Sequence, residues 1–501
     1  MIFDVGEVAA GGVHDYLRGD ANALAELLDR SRRARDAGPV QWRVPLTAAT
    51  VHRMEGLHRL TEEEGICINF QPISGLCDED RTFFEDYSEH RLIHSRMLHY
   101  KRRLQELYSA AHEAGDALTR VLRPTRRSLD RPDTLRSLVI IGAYGGDHIG
   151  DAAILGGVLN AVNRCHSVRH ATVMSYRPHH TRHLVSGLSI PVTITVEPYE
   201  AYRVDRALDD ADALVLAGGP IFDSPRILAK HIASVHSARI RGRPFFVERV
   251  GIGTTWRRPS SWLARSILGL AESISVRSSE SAHHPLLSGL SPQITRDPAF
   301  DYLETHLSLD RLRELDKRAV GALTAGAEGA VLIGVNLRPA HDEHAAPGKA
   351  APQALSDDLI ESLSTALIKF AAKTHRPVRY IFFPMNAVQH GMSDMSAAFQ
   401  LHRAVGNRID LRVWEGNPGL DGVLHLLRKL DLVIAMRLHA AIFSMSQGLP
   451  VLGLDYFQGK GGKLTELFYD SGRSDWTRTT EAFEVDWLVN KIEASLEAAT
   501  T

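Results

Sequence analysis

Cysteine is scarce in this chain: Cys67, Cys77 and Cys165 are the only three among 501 residues. So few, and an odd number, exclude a disulfide framework and fit a reducing compartment. An excess of either charge is missing too. Lysine and arginine number 58 against 60 aspartate and glutamate, a formal net charge of −2, which leaves no overall electrostatic case for nucleic acid as a partner. Any anion site must be local. Long apolar runs are lacking: the most hydrophobic stretch near the end, Leu432 to Met445, is broken by Arg437 and His439 and is too short to span a bilayer. The opening Met-Ile-Phe-Asp-Val-Gly-Glu has neither the basic start nor the apolar run of a signal peptide. These absences together point to a cytoplasmic protein.

What is present is ordinary for a folded chain. Hydrophobic residues make up 44% and charged residues 24%, which argues against disordered or collagen-like chains. The length of 501 residues calls for two or three domains, each with its own core. The pattern divides into a mainly helical N-terminal region with a basic linker (1–136), a first α/β region (137–300), a connector (301–330) and a second α/β region (331–501).

The first region carries few strand signals apart from the ambiguous Ile66 to Phe70. Its clearest element runs from about Phe84 to Leu122. There Ile93, Met97, Tyr100, Leu104, Leu107, Ala111, Ala114, Leu118 and Val121 recur at spacings of four and three, a stripe on one helix face. Packing within its own domain is the simpler reading; a seam between two copies, through residues 93–121, is the alternative. The arginines at 120, 123, 126, 127, 131 and 136 follow, punctuated by Pro124 and Pro132. They read as a solvated linker, or as a contact to an anionic membrane face or a lipid-linked phosphate.

The later regions alternate short apolar runs with helical patterns, as parallel sheets covered on both faces by helices require. Strands are predicted at Leu138–Ile141, Ala171–Met174, Val192–Val196, Ala213–Ala217, Pro244–Val247 and Ser273–Val276. A second series is predicted at Val331–Val335 and near Val378–Phe383, Leu411–Trp414, Leu432–Ala435 and Val451–Leu454. Two such Rossmann-like sheets in tandem imply a cleft between them, with chemistry on the loops beyond the carboxyl ends of the strands.

Those loops are distinctive. The first strand runs into Gly142-Ala-Tyr-Gly145-Gly-Asp-His148-Ile-Gly150-Asp151, which lacks the Lys and Ser/Thr of a Walker loop and the glycine spacing of a dinucleotide fingerprint. Asp151 suits a helix N-cap as well as a catalytic role. Further glycine turns occur at Gly218-Gly219-Pro220 and Gly251-Ile-Gly253. Arg277 ends an apolar strand, where it either pairs with a carboxylate such as Glu280 or meets an anion with its planar fork. Arg437 and His439 fall at a strand-to-helix turn, where the helix dipole favours an anion and a histidine can move a proton near neutrality. Lys460 and Lys463 lie downstream. The 25 histidines include only His179-His180-x-x-His183 and His283-His284 as close groupings, without the ligand pattern of a zinc site, so no metal is expected.

The Gly150-Asp151-Ala-Ala-Ile-Leu segment, Leu216-Ala-Gly218-Gly219, Gly251-Ile-Gly253, Ser275-Val-Arg277 with Asp297-Pro298-Ala299, and Arg437-Leu438-His439-Ala leading to Gly448-Leu-Pro450 together resemble the polysaccharide pyruvyl transferase family. The resemblance spans roughly 138 to 470, about two thirds of the chain. The chain departs from it at His148, where the family commonly has asparagine, and at Ala217, where it has a further glycine. The resemblance implies a GT-B-like pair of domains and transfer of pyruvate from phosphoenolpyruvate to a saccharide, typically as a cyclic ketal on an envelope or exported polysaccharide precursor that is free or lipid-linked. It implies no cofactor beyond phosphoenolpyruvate as co-substrate. The implied donor ligands are Arg277, Arg437, Leu438 and Lys460 or Lys463, with His439 as general acid, alternating as base. Gly145, His148, Gly150, Asp151, Gly218 and Gly219 are the implied acceptor or loop residues. The alternatives are a sugar-nucleotide glycosyltransferase, whose acidic ribose ligand would have to be Asp394 or Asp455, and a non-catalytic scaffold of polysaccharide assembly.

Overall fold

A computed structural model of the protein describes residues 134–498 except 146–148, 222–223, 254–257, 307–311, 313, 340–354, 387–393, 416–417 and 457–461; before them it describes 2–4, 29, 32–33, 41–46 and 67–72. Among those early residues the helical reading of the first region holds only at 29 and 32–33. The others form β1 (Ile2–Asp4), β2 (Gln41–Leu46) and β3 (Cys67–Pro72), paired in parallel in the order β1-β2-β3. Only β3 overlaps the ambiguous Ile66–Phe70. In β2 the apolar Trp42, Val44 and Leu46 alternate with other residues, a period of two that a search for helical stripes passes over. The 93–121 stripe and most of the arginine linker lie outside the described residues.

The next sheet is built from β4 (Ser137–Ile141), β5 (His170–Ser175), β6 (Thr193–Pro198), β7 (Ala213–Ala217), β8 (Pro220–Ile221), β9 (Phe245–Ile252), β10 (Ser273–Val276) and β11 (Gln293–Ile294). Its order is β11-β10-β9-β7-β4-β5-β6, with β8 on β9. The last sheet, β14-β13-β12-β15-β16-β17, contains β12 (Val331–Asn336), β13 (Val378–Phe382), β14 (Asp410–Val413), β15 (Leu432–Ala435), β16 (Val451–Asp455) and β17 (Thr477–Thr479). The pairings of both are parallel. Central strands such as β7 and β15 are buried along their whole length, which explains their continuous apolar runs. The short strands β8, β11 and β17 carry no such run.

The helices in chain order are α1 (Ile149–Cys165), α2 (Pro178–Val185), α3 (Ala201–Asp209), α4 (Pro225–Ile240), α5 (Arg258–Gly269), α6 (Ser279–Ala282), α7 (Pro298–Thr305), α8 (Glu314–Thr324), α9 (Asp357–Lys373), α10 (Met395–Val405), α11 (Leu420–Leu427), α12 (Leu438–Ser446), α13 (Lys463–Asp470) and α14 (Val485–Ala498). The outer face of the first sheet packs around Val139, Leu214 and Val247, and that of the second around Phe370, Tyr380 and Leu488. The inner faces share one interior: Leu155, Leu159 and Tyr302 from the first half belong to the same buried cluster as Val423, Leu427 and Phe443 from the second. Polar ties cross the same boundary. The Ile149 N–H donates to Met385 O at 3.3 Å, His306 Nε2 lies 2.5 Å from Asp421 Oδ1, and Ser279 Oγ donates to Asp470 Oδ1 at 2.9 Å.

Candidate active site

Both sheets reverse their strand order where ligands collect in open α/β folds. In the first sheet the reversal lies between β4 and β7, with Ile141 opposite Leu216. This sets Gly142, Ala143 and Tyr144 beside Gly218-Gly219, and the Ala143 N–H donates to Gly218 O at 3.1 Å. In the second sheet it lies between β12 and β15, with Asn336 opposite Ala435, so residues just beyond each strand become neighbours. The carboxyl ends of the two sheets meet where α1 faces α12. A Cβ on Gly150 would stand 2.2 Å from His439 Nδ1, so glycine is what lets the start of α1 close on the second domain.

His439 sits in the first turn of α12, behind Arg437 as its N-cap. Its side chain keeps 17% exposure, yet its Nε2 is sealed from solvent with no hydrogen-bond partner. Burial pushes the imidazole down to about 4; Asp297 opposes this, while Arg277, Lys463 and Arg437 reinforce it. Arg277 and Asp297 belong to the first domain and Arg437 and Lys463 to the second, and Asp297, which holds Arg277, reaches the ring across the boundary. Lys463 opens α13; Lys460 and His148 lie outside the described residues. Leu438 opens α12 and packs on the shared core.

Arg277 follows β10 and donates through Nη1 to Asp297 Oδ2 at 2.9 Å, with both side chains buried. The carboxylate partner is therefore Asp297 and not Glu280. Asp297 is the N-cap of α7, its Oδ1 accepting from the Ala299 N–H at 3.0 Å, and its Oδ2 lies 3.9 Å from His439 Nε2. A Cβ on Gly251 would come within 3.0 to 3.3 Å of the Arg277 guanidinium, which explains that turn's glycine. The β9–β10 ladder shifts register between Ile274 and Val276, and Arg249 at the shift has φ 53°. A bulge of this kind re-aims the residue at the strand end. The carboxyl of Glu466 on α13 is pushed above its usual range by burial and by Glu280.

Arg437 is held by a buried network that sequence reasoning missed. Its Nε and Nη2 donate to Asp394 Oδ1 at 2.8 and 2.5 Å, and its N–H donates to Asn336 Oδ1 at 3.1 Å. Asp394 Oδ2 also accepts the N–H groups of Met385 and Asn386. Asp455 is spent likewise, accepting from Gly462 N, Thr465 N and Thr465 Oγ1 at 2.8 Å each. Both acidic residues considered as ribose ligands are thus buried and engaged inside the protein. Asp151 lies inside the first turn of α1 and not at its cap, where the helix dipole still favours a carboxylate. Gly145, Gly218 and Gly219 hold positive φ at the strand ends. Beside them Tyr144, also unanticipated, has a buried hydroxyl without a hydrogen-bond partner, its pKa raised by burial and by Asp151.

Two Rossmann-like domains that meet at their strand ends, with Arg277 and Asp297 from the first and Arg437 and the buried imidazole of His439 from the second, define a GT-B-like protein with its candidate site between the domains. The sequence matches the polysaccharide pyruvyl transferase family over residues 148–458, and the chain belongs to that family. No curated protein matches it in sequence. Among solved structures it is similar to the UDP-GlcNAc 2-epimerase from Neisseria meningitidis, at 12% identity and TM-score 0.47, covering 73% of this chain and 92% of that one. It is also similar to the E. coli ADP-heptose LPS heptosyltransferase II, at 12% identity and TM-score 0.39, covering 73% and 100%.

Proposed function

We propose that this family member transfers a pyruvyl group from phosphoenolpyruvate to two hydroxyls of a saccharide, forming a cyclic ketal and releasing inorganic phosphate. The observation that carries the reading is the contact across the domain boundary between Asp297, which holds Arg277, and His439, which lies in the helix turn capped by Arg437. A small donor bearing a carboxylate and a phosphate needs cationic anchors fixed in advance. Asp297 and Asp394 fix two of them, and Asp297 engages Arg277 through Nη1, leaving Nε and Nη2 toward Gly251.

In the chemistry we propose, the first hydroxyl oxygen bonds to C2 of the donor while the methylene carbon gains a proton and becomes methyl. The C2–O bond to phosphate then breaks with its electron pair, the second hydroxyl oxygen bonds to C2, and its proton leaves with the phosphate. Neutral at pH 7, His439 takes the first hydroxyl proton as base and returns it to the methylene as acid; a bound dianion raises its pKa for the second role. The loops of the first sheet, with Gly145, Gly150, Asp151, Gly218 and Gly219, form the acceptor side. The acceptor is an envelope or exported polysaccharide precursor, met in the cytoplasm or at the inner membrane face.

Incubation with phosphoenolpyruvate and candidate glycans, following phosphate release and a mass gain of the glycan, tests this. Turnover is expected in the unmodified protein and its loss in Arg437→Ala and His439→Ala. Phosphate release unchanged in both variants would remove the assignment.

A further inference from the structure

Arg338 was not singled out by any motif, yet it occupies the position beyond β12 that Arg437 occupies beyond β15. Asn336 pairs with Ala435, and each arginine lies two residues past its member of that pair, on adjacent strands at the reversal of the second sheet. Paired strands run about 5 Å apart, so the two arginines follow neighbouring strand ends.

Their surroundings differ in one respect. Arg437 has Asp394 as its own counter-ion. Arg338 is 6% exposed, and among the described residues no carboxylate forms an ion pair with it. Its Nη1 donates to the Tyr456 hydroxyl at 3.0 Å and its Nε to Pro339 O at 3.3 Å, and the guanidinium lies 4.3 Å over the Tyr456 ring. Its Nη2 is buried and has no hydrogen-bond partner among the described residues. Asp394, the carboxylate that pairs with Arg437, also accepts two backbone N–H groups. Burial and the Arg437 charge both work against Arg338, but a guanidinium does not give up its proton in a protein. A buried cation with an unused donor, held flat by an aromatic ring and a hydroxyl, is arranged to receive an anion.

We propose that Arg338 is a further donor ligand, binding the phosphate of the donor and the inorganic phosphate released from it; this rests on the phosphoenolpyruvate reading above. Phosphate is the group chosen because a phosphate monoester carries nearly two negative charges at neutral pH, whereas Arg277 and Arg437 are each balanced by an aspartate.

The test uses the full chain and two probes, inorganic phosphate and pyruvate, with binding measured by calorimetry in the absence of acceptor. In Arg338→Gln, phosphate binding is expected to weaken by about 10- to 100-fold, the usual worth of a charge-assisted hydrogen bond, with pyruvate binding changed less than about 2-fold. Tyr456→Phe, which keeps the ring and removes the hydroxyl on Nη1, should weaken phosphate several-fold and carries the test if Arg338→Gln does not fold. Phosphate affinity unchanged in whichever of these variants folds, or no phosphate binding by the unmodified protein, would overturn the assignment. Failure of the donor reading looks different: Arg338-dependent phosphate binding would persist while no acceptor supports phosphate release from phosphoenolpyruvate.

Discussion

Asp297 caps α7 with one oxygen and holds Arg277 with the other, which also faces His439. Asp297→Asn keeps an acceptor for the cap but removes the charge that opposes depression of the His439 pKa. Its kcat/KM is expected to fall by roughly 10- to 100-fold with little loss of stability, whereas Asp297→Ala should also cost about 1 kcal/mol through the lost cap; steady-state rates and thermal melts separate the two. His439→Ala is expected to lower kcat by about 10²- to 10⁴-fold, the usual contribution of a positioned acid or base. The buried histidines also set a pH dependence. His439 and His231 are held at about 4 and about 3 in the folded protein, against about 6.5 when unfolded. Both are depressed, so the unfolded chain binds more protons; their contribution is complete above pH 6.5 and is lost as pH falls toward 4. Urea titrations between pH 7 and 4.5 should show falling stability, with a slope shallower by about one proton in His439→Gln. At this scale the sequence disclosed Arg277, Arg437 and His439 because each lies just beyond an apolar strand inside a recognisable motif. It did not disclose that Asp394, 43 residues from Arg437, is that arginine's partner, nor did it single out Arg338, whose only local signal is an arginine and a proline after an apolar run.

Among the elements, the α1 N-terminus and α12 approach closely where the Gly150 backbone meets the His439 ring. Gly150→Ala places a methyl where that ring lies, so helix or ring must shift. A displacement near 1 Å at a catalytic group costs about 100-fold in rate, and that loss is expected here in kcat with a far smaller change in melting temperature. The strands that carry these elements were legible almost to the residue, Ala213–Ala217 and Leu432–Ala435 among them, because a strand buried on both faces leaves no polar position to blur the run. β8, β11 and β17 were not, since two or three residues at a sheet edge bury too little to need an apolar sequence. The sequence could place Arg277 at the end of β10 but not the register shift behind it, which depends on how β9 and β10 pair.

For the whole molecule, the inner faces of both sheets feed one buried cluster, and His306–Asp421 ties the halves where both side chains are nearly closed to solvent. The two α/β halves are therefore expected to unfold in a single cooperative transition, followed by calorimetry, and Asp421→Ala is expected to lower its stability by about 1–3 kcal/mol by leaving His306 without its partner. Two tandem sheets were readable from the order of apolar runs; that they would share an interior was not, because leucines such as Leu155 and Leu427 look alike to any pattern of hydrophobicity whichever neighbour they meet. In a protein built this way, swinging the halves apart like jaws would carry Tyr302 and Phe443, which lie in one buried cluster across the boundary, into water.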